Sequence, residues 1–310
     1  MKTRKRKIAV VGAGAIGSYY GILLSEMGFE VHFLFHSTYE KMKKHGLLLK
    51  SAYHGDITLS NPWVYYSAED MPVCEIILVG LKTTHNQHVL PKVLPYIADR
   101  DTAVIMIQNG LDMEKGAAAL LPDLQFAGAV TPVRCYKDSK GNIVHEGNAA
   151  IDLGNFNLRN PERLRKFAKA FTAFGIPSSY QDLTTIRWKK LVWNMAFNGL
   201  SVVLDATTDQ ILNKAEKRCR TIMNEVADAA RSQGVAISTS FIDELILLTK
   251  TISPYAPSMK RDFENFRPME LEYIYEKPIA TARKAGIEMP ETTRLFHELQ
   301  SLEETGSPAK

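Results

Sequence analysis

Two periodicities divide the chain. Up to about residue 181, short apolar runs alternate with amphipathic stretches; beyond it, helical spacing takes over. Lys7-Ile8-Ala9-Val10-Val11 reads as a strand, Tyr19 to Met27 as an amphipathic helix stopped by Gly28, and Glu30 to Phe35 as a second strand. Glu75 to Gly80 and Thr102 to Ile107 read as buried parallel strands, with a short helix at Val89 to Ile97 between them and a further strand at Phe126 to Thr131. Repeated β-α-β units of this kind predict an α/β fold built on a Rossmann-type doubly wound parallel sheet. Asp138 to Asn142 predicts a hairpin turn. Ile143 to His145 and Ala149 to Leu153 flank a second turn, so the sheet is expected to finish in antiparallel strands. A helix from Pro161 to about Phe174 and a strand from Ile176 to Tyr180 complete this part.

After Asp182 the pattern predicts a smaller all-helical domain, with long helices near 184–198, 214–233, 238–252 and 269–286 and with Gly234 and Gly286 as stops. The expected division is 1–181, 182–304 and a disordered tail at 305–310. Repeats and low-complexity segments are absent.

The junction of the first strand and helix carries the first chemistry. Gly12-Ala13-Gly14-Ala15-Ile16-Gly17 has the G-x-G-x-x-G spacing, with a strand before it and a helix after it. Gly12 permits a tight turn, Gly14 lets a pyrophosphate reach the backbone, and Gly17 lets the helix pack on the strand. The helix amino terminus offers free N–H groups to the phosphates. This predicts dinucleotide binding by residues 12–17. An NAD site usually ends its second strand in Asp or Glu. Here the end is His36-Ser37-Thr38, with no acid before Glu40 and with Lys41, Lys43 and Lys44 close behind. A carboxylate would repel a 2′-phosphate and these groups would accept one, so NADP is favoured; a solvated lysine face is the alternative.

Size and composition narrow the picture little. The 310 residues suffice for two domains, and 45% hydrophobic with 23% charged is ordinary for a globular protein. Net charge is +4, and the basic cluster Lys2, Arg4, Lys5, Arg6 and Lys7 reads as a solvated terminus, so no nucleic-acid partner is expected. No apolar segment approaches the roughly 18 residues of a membrane span, and no signal-peptide pattern precedes the glycines. Cys74, Cys135 and Cys219 are far apart and form neither a metal-ligand spacing nor a disulfide framework. No metal is expected, and a reducing cytoplasm fits.

In open α/β sheets, ligands sit beyond the carboxyl ends of the strands. Lys82 follows one such end and could meet a cofactor ribose or phosphate. Asn109, in Gln108-Asn109-Gly110, follows another and could bond the nicotinamide side or the substrate. In the helical part, Lys190, Asn194 and Asn198 are spaced i, i+4, i+8 on one face, among Leu191, Val192, Trp193, Met195, Ala196 and Phe197. Buried amides and an ammonium need partners, and a polar ligand in an interdomain cleft would satisfy them; an internal polar network is the alternative. An ammonium suits carbonyl reduction, because it stabilises the growing negative charge on oxygen and can donate the proton. Ser258 could cap a helix, and Glu270 shares a helical face with Tyr273.

Taken together these residues resemble the ketopantoate reductases (2-dehydropantoate 2-reductases) along nearly the whole chain. The resemblance rests on the 12–17 glycines, Lys82, Gln108-Asn109-Gly110, the Gly141 to Gly147 hairpin and Trp188-Lys189-Lys190-Leu191 with Asn194 and Asn198. Ser258 to Asp262, Glu270 with Tyr273, and Gly286 to Thr293 add to it. It implies NADPH-dependent reduction of a branched 2-oxo acid to pantoate, on the way to vitamin B5 and coenzyme A. It implies Lys190 as the catalytic acid and Glu270 as a ligand of the substrate hydroxyl. Asn109, Asn194, Asn198 and Ser258 would orient the substrate, with Asn109 also near the cofactor. The small 2-oxo acid is the expected partner, and a homodimer is left open.

Three positions depart from the family pattern: His36 in place of a frequent arginine, Gly199 in place of a common proline, and Tyr275-Glu276 in place of a frequent Asn-Gly. A paralogous NAD(P)-dependent reductase of another 2-oxo or 3-hydroxy acid is therefore the alternative. A non-enzymatic dinucleotide sensor is a more distant one, since a sensor would not need Lys190.

Overall fold

The computed structural model describes residues 6–147 and 149–306. Contacts group them into two units. One runs to Gln108 and resumes from Met113 to Leu183; the other holds Asn109–Asp112 and the chain from Thr184 onward.

The first unit begins with β1 (Lys7–Val11), α1 (Ala15–Glu26), β2 (Glu30–Leu34) and α2 (Tyr39–His45). Next come β3 (Leu47–Ser51), β4 (Ile57–Leu59), β5 (Trp63–Tyr65), β6 (Ile76–Val79), α3 (Asn86–Ile97), β7 (Ala103–Met106) and α4 (Met113–Leu120). It closes with β8 (Gln125–Val130), β9 (Arg134–Lys137), β10 (Ile143–Gly147), β11 (Ile151–Asn155), α5 (Glu162–Ala173) and β12 (Ser178–Gln181). Eight strands form one sheet in the order β12-β11-β8-β7-β6-β1-β2-β5. From β5 to β8 neighbouring strands are parallel, β11 is antiparallel to β8, and β12 runs parallel to β11. The sequence explains the centre: Ile76–Val79 and Ala103–Met106 are apolar at every position, and every one of these residues is buried, as helices on both faces require. The strand order reverses between β1 and β6, so the turn after β1 and the segment after β6 lie at the topological switch point.

One expectation fails here. Ile143 to His145 does not extend the main sheet. β10 pairs antiparallel with β9 and parallel with β3, in a separate four-stranded sheet ordered β4-β3-β10-β9. The β9–β10 hairpin forms around Asp138, whose carboxylate accepts from the Lys140 and Asn142 backbone N–H groups at 2.9 and 2.8 Å. The second expected turn does not join paired strands, and its Asn148 lies outside the described residues. The periodicity also predicts no element between residues 46 and 74, where β3 to β5 lie; β4 and β5, of three residues each, carry too few alternations to register.

The second unit is helical: α6 (Leu183–Val203), α7 (Thr208–Ser232), α8 (Thr239–Thr251), α9 (Ser258–Glu264), α10 (Lys277–Lys284) and α11 (Pro290–Thr305). A π-helical turn at Glu272–Glu276 leads into α10. A capping box between Thr207 and Gln210 starts α7, and Gly234 and Gly286 follow α7 and α10 with positive φ. Ser258 does not cap α9. It is the first helical residue, and Pro257 holds the cap position without a side-chain bond. The core gathers on α6, where Trp188, Leu191, Met195, Phe197 and Leu200 are buried. Thr305, expected in a disordered tail, ends α11 with Gly306 as its left-handed cap, while residues 307–310 lie outside those described. No helix among the described residues is long and apolar enough to cross a membrane.

Candidate active site

In the first unit, the turn after β1 has the geometry of a phosphate cradle. Gly12 has φ +84°, and a Cβ there would stand 2.4 Å from the Leu81 nitrogen. A Cβ on Gly17 would stand 2.5 Å from the Gly12 carbonyl oxygen. Gly14 differs: it is exposed, and its nearest neighbour to an added Cβ is the Gly12 oxygen at 4.0 Å. Close packing thus requires Gly12 and Gly17, whereas Gly14 leaves open room for something to approach. Gly14 is the cap residue of α1 and supplies no side chain to the helix amino terminus, so the first N–H groups are available to an anion. Ala13 is buried and Ala15 and Ile16 are half-buried. The Ala13 carbonyl is tied down by the Ser18 hydroxyl at 2.9 Å and by the Lys137 ammonium at 2.8 Å. These residues fit a bound dinucleotide.

Lys137 carries no signal in the sequence. It ends β9, reaches the glycine turn across 124 positions, and lies over the Phe35 ring at 5.7 Å. Burial lowers its ammonium below the usual lysine range. The lysines expected to receive a 2′-phosphate behave otherwise. Lys41, Lys43 and Lys44 are exposed on α2; Lys41 donates to the Lys140 carbonyl and Lys43 lies over the Tyr39 ring at 5.3 Å. His36 is exposed just past β2 and stacks on Tyr66, centroids 5.4 Å apart. Lys82 is half-buried directly after β6. Beside it Gln108 and Asn86, both buried, exchange amide bonds at 3.1 and 2.7 Å, and Gln108 also donates to the Leu81 carbonyl at 2.8 Å. This amide pair, of which Asn86 went unnoticed in the sequence, fixes the ends of β6 and β7.

In the second unit, α6 presents Lys190, Asn194 and Asn198 along one face. Asn194 and Asn198 are 3% and 2% exposed. Asn194 Nδ2 is buried with no hydrogen-bond partner, an arrangement that costs about 1–3 kcal/mol unless a ligand supplies an acceptor. Lys190 is half-buried. It makes no hydrogen bond or ion pair among the described residues, and its ammonium lies 5.9 Å from the centre of the Trp193 ring. Burial alone pushes its ammonium down to about 8. Among the described residues no hydrogen bond joins the Lys190, Asn194 and Asn198 side chains to one another, as the alternative of an internal polar network would require of them.

The turn Asn109–Asp112 belongs to this unit because it docks on the π-helical turn itself. Leu111 N–H donates to the Tyr273 carbonyl at 2.9 Å. Gly110 has φ +121°, and a Cβ there would stand 2.6 Å from that carbonyl oxygen. Glu270, three residues before Tyr273, is 6% exposed, and its carbonyl accepts from Ile274 N–H at 3.2 Å. Ser258 is exposed at the start of α9. Two departures from the family pattern prove to be one feature. The buried Tyr275 hydroxyl donates to the Met195 carbonyl at 2.6 Å, and a Cβ on Gly199 would stand 2.4 Å from that hydroxyl. Gly199 makes room for Tyr275 to lock the π-helical turn onto α6. No group of three or more His, Cys, Asp or Glu among the described residues could hold a metal ion.

The family profile "Ketopantoate reductase PanE/ApbA" matches residues 8–157, and its C-terminal counterpart matches 182–303. A 2-dehydropantoate 2-reductase of a Nostoc species is 39% identical over 309 residues, covering 96% of each chain. The crystal structure of 2-dehydropantoate 2-reductase from Geobacter metallireducens superposes with TM-score 0.90 at 35% identity, covering 95% of this chain and 99% of that one. The ternary structure of D-mandelate dehydrogenase with NADH and anilino(oxo)acetate shares the fold, with TM-score 0.87 at 23% identity over 97% and 99% of the two chains.

Proposed function

The chain belongs to the ketopantoate reductase family of oxidoreductases, and we propose that it reduces 2-dehydropantoate to pantoate with NADPH, in the cytoplasmic route to pantothenate and coenzyme A. One observation carries the reading: Asn194, whose buried Nδ2 has no partner among the described residues, shares a helix face with Lys190, which makes no ion pair among them. Such a face suits an anionic, carbonyl-bearing ligand.

When bound, the reduced nicotinamide supplies the hydride that the carbonyl carbon receives. The chain does the rest. Residues 12–17 hold the pyrophosphate at the start of α1, with Lys82 at the neighbouring strand end. Asn194 and Asn198 orient the substrate carboxylate and hydroxyl without adding a competing base, and Ser258 is assigned the same part by resemblance alone. Glu270 accepts the substrate hydroxyl, and Asn109 is assigned to the substrate and the nicotinamide side by resemblance. The Lys190 ammonium meets negative charge growing on the carbonyl oxygen and releases its proton there.

Cofactor choice is assigned to the end of β2 and to Lys137. Fluorescence titration should give tighter NADPH than NADH binding. His36→Asp should narrow that difference, and Lys137→Met should weaken NADPH more than NADH. NADH binding as tight as NADPH in the parent protein removes the NADP assignment.

Assay of NADPH oxidation against a panel of 2-oxo acids tests the substrate. Ketopantoate should give the highest kcat/KM, and Glu270→Ala should raise its KM at least about tenfold, the loss of one charged hydrogen bond, with little change for the cofactor. The Tyr275–Gly199 lock, foreign to the family pattern, favours one second reading: a reductase of another 2-oxo acid. A higher kcat/KM for an unbranched or aryl-bearing acid would establish it.

A further inference from the structure

Trp193 lies three residues beyond Lys190 on α6, and its orientation is fixed by several contacts. Phe197 stacks on it at 4.8 Å with planes 15° apart, and Tyr255 lies parallel at 6.1 Å and 6°. The indole N–H donates to Thr249 Oγ1 at 3.0 Å, and that hydroxyl donates on to the Leu245 carbonyl at 2.7 Å. Over this ring stands the Lys190 ammonium, 5.9 Å from the centroid. A ring quadrupole attracts a cation at this range, and more strongly where water is scarce.

We infer that Trp193 is a positioning residue: its π face holds the Lys190 ammonium charged and in place, and so sets the upper pH at which the chain can protonate a substrate. The second half of this statement rests on Lys190 being the acid, as proposed above. The surroundings leave the ring little competition. Burial opposes the charge on Lys190 and lowers its titration. Lys189 lies over Phe241 at 5.8 Å, and Lys250 of α8 is paired with Glu216 at 2.8 Å. Thr249 and Phe197 are uncharged, and Tyr255 brings a phenol. A burial that disfavours the ammonium and a ring that favours it would together keep Lys190 a usable acid at neutral pH.

The test uses full-length protein with its lysines reductively methylated with carbon-13. The Lys190 signal is assigned by its loss in Lys190→Arg, and its titration is followed by NMR in the parent, Trp193→Leu and Trp193→Phe. A lost cation–π contact should move the Lys190 titration down by about half to one and a half pH units in Trp193→Leu. Trp193→Phe keeps a π face and the stack, so most of the parent value should return; it also serves if the leucine variant does not fold. The alkaline limb of kcat against pH should move with the titration. An unchanged titration in Trp193→Leu, or a phenylalanine variant that titrates no higher than the leucine one, overturns the inference. A titration that moves while the kcat limb stays fixed upholds the contact and instead removes Lys190 as the acid.

Discussion

Lys190→Ala is expected to fold normally, bind NADPH normally and lose at least about two orders of magnitude in turnover, the usual effect of removing one well-placed donor at a developing oxyanion. Folding should survive because Lys190 has no hydrogen-bonded or ionic partner among the described residues to leave stranded. The interaction with the carbonyl oxygen is stronger in the transition state than in the ground state, so its loss appears in kcat rather than in KM alone. Lys189→Ala is the control: that side chain lies over Phe241, away from the Lys190 face, and its removal should be mild. The pH dependence follows from the same group. The ammonium is the active form and burial brings it down to about 8, so turnover should hold at neutral pH and fall as pH rises through 8. Steady-state kinetics on both variants decide the matter. Similar kinetics for the two, or a Lys190→Ala enzyme that keeps most of its turnover, would make the α6 face structural.

The second large effect is a contrast between two glycines two positions apart. Gly12→Ala puts a Cβ 2.4 Å from the Leu81 nitrogen and 2.7 Å from the Gly80 carbonyl carbon, at φ +84°. Both obstacles are backbone just past the end of β6 and cannot rotate away. The expected loss of stability is about 2–4 kcal/mol, read as a lowered midpoint in thermal or urea melts. Gly14→Ala meets nothing closer than 4.0 Å. It should leave the melting midpoint within about 0.5 kcal/mol of the parent. Its methyl group would nevertheless stand where a pyrophosphate must approach the backbone, so NADPH binding should weaken at least about tenfold, a conservative figure for blocking a close backbone approach. A Gly14→Ala protein that melts and binds like the parent would show that the cradle does not hold the pyrophosphate as drawn here.

By itself the sequence determined what local spacing encodes. The main-sheet strands were legible because a strand buried on both faces is apolar at every position, as in Ile76–Val79 and Ala103–Met106. The glycine turn was legible because its spacing meets a strand and a helix with no residues to spare. The Lys190-Asn194-Asn198 face followed from the 3.6-residue period alone. Tertiary structure decided everything that depends on pairing across long separations. It took β10 out of the main sheet and set it beside β3, 94 positions away at the Ser51–His145 contact. It brought Lys137 to the Ala13 carbonyl, the Asn109–Asp112 turn to Tyr273, and Tyr275 into the space left by Gly199. It also left Asn194 Nδ2 without a partner among the described residues and Lys190 against a tryptophan ring, neither of which a helical wheel can reveal. The reason is physical. Periodicity reports which face of an element is buried, whereas the partner of a buried polar group is chosen by packing between segments whose separation along the chain carries no local signal.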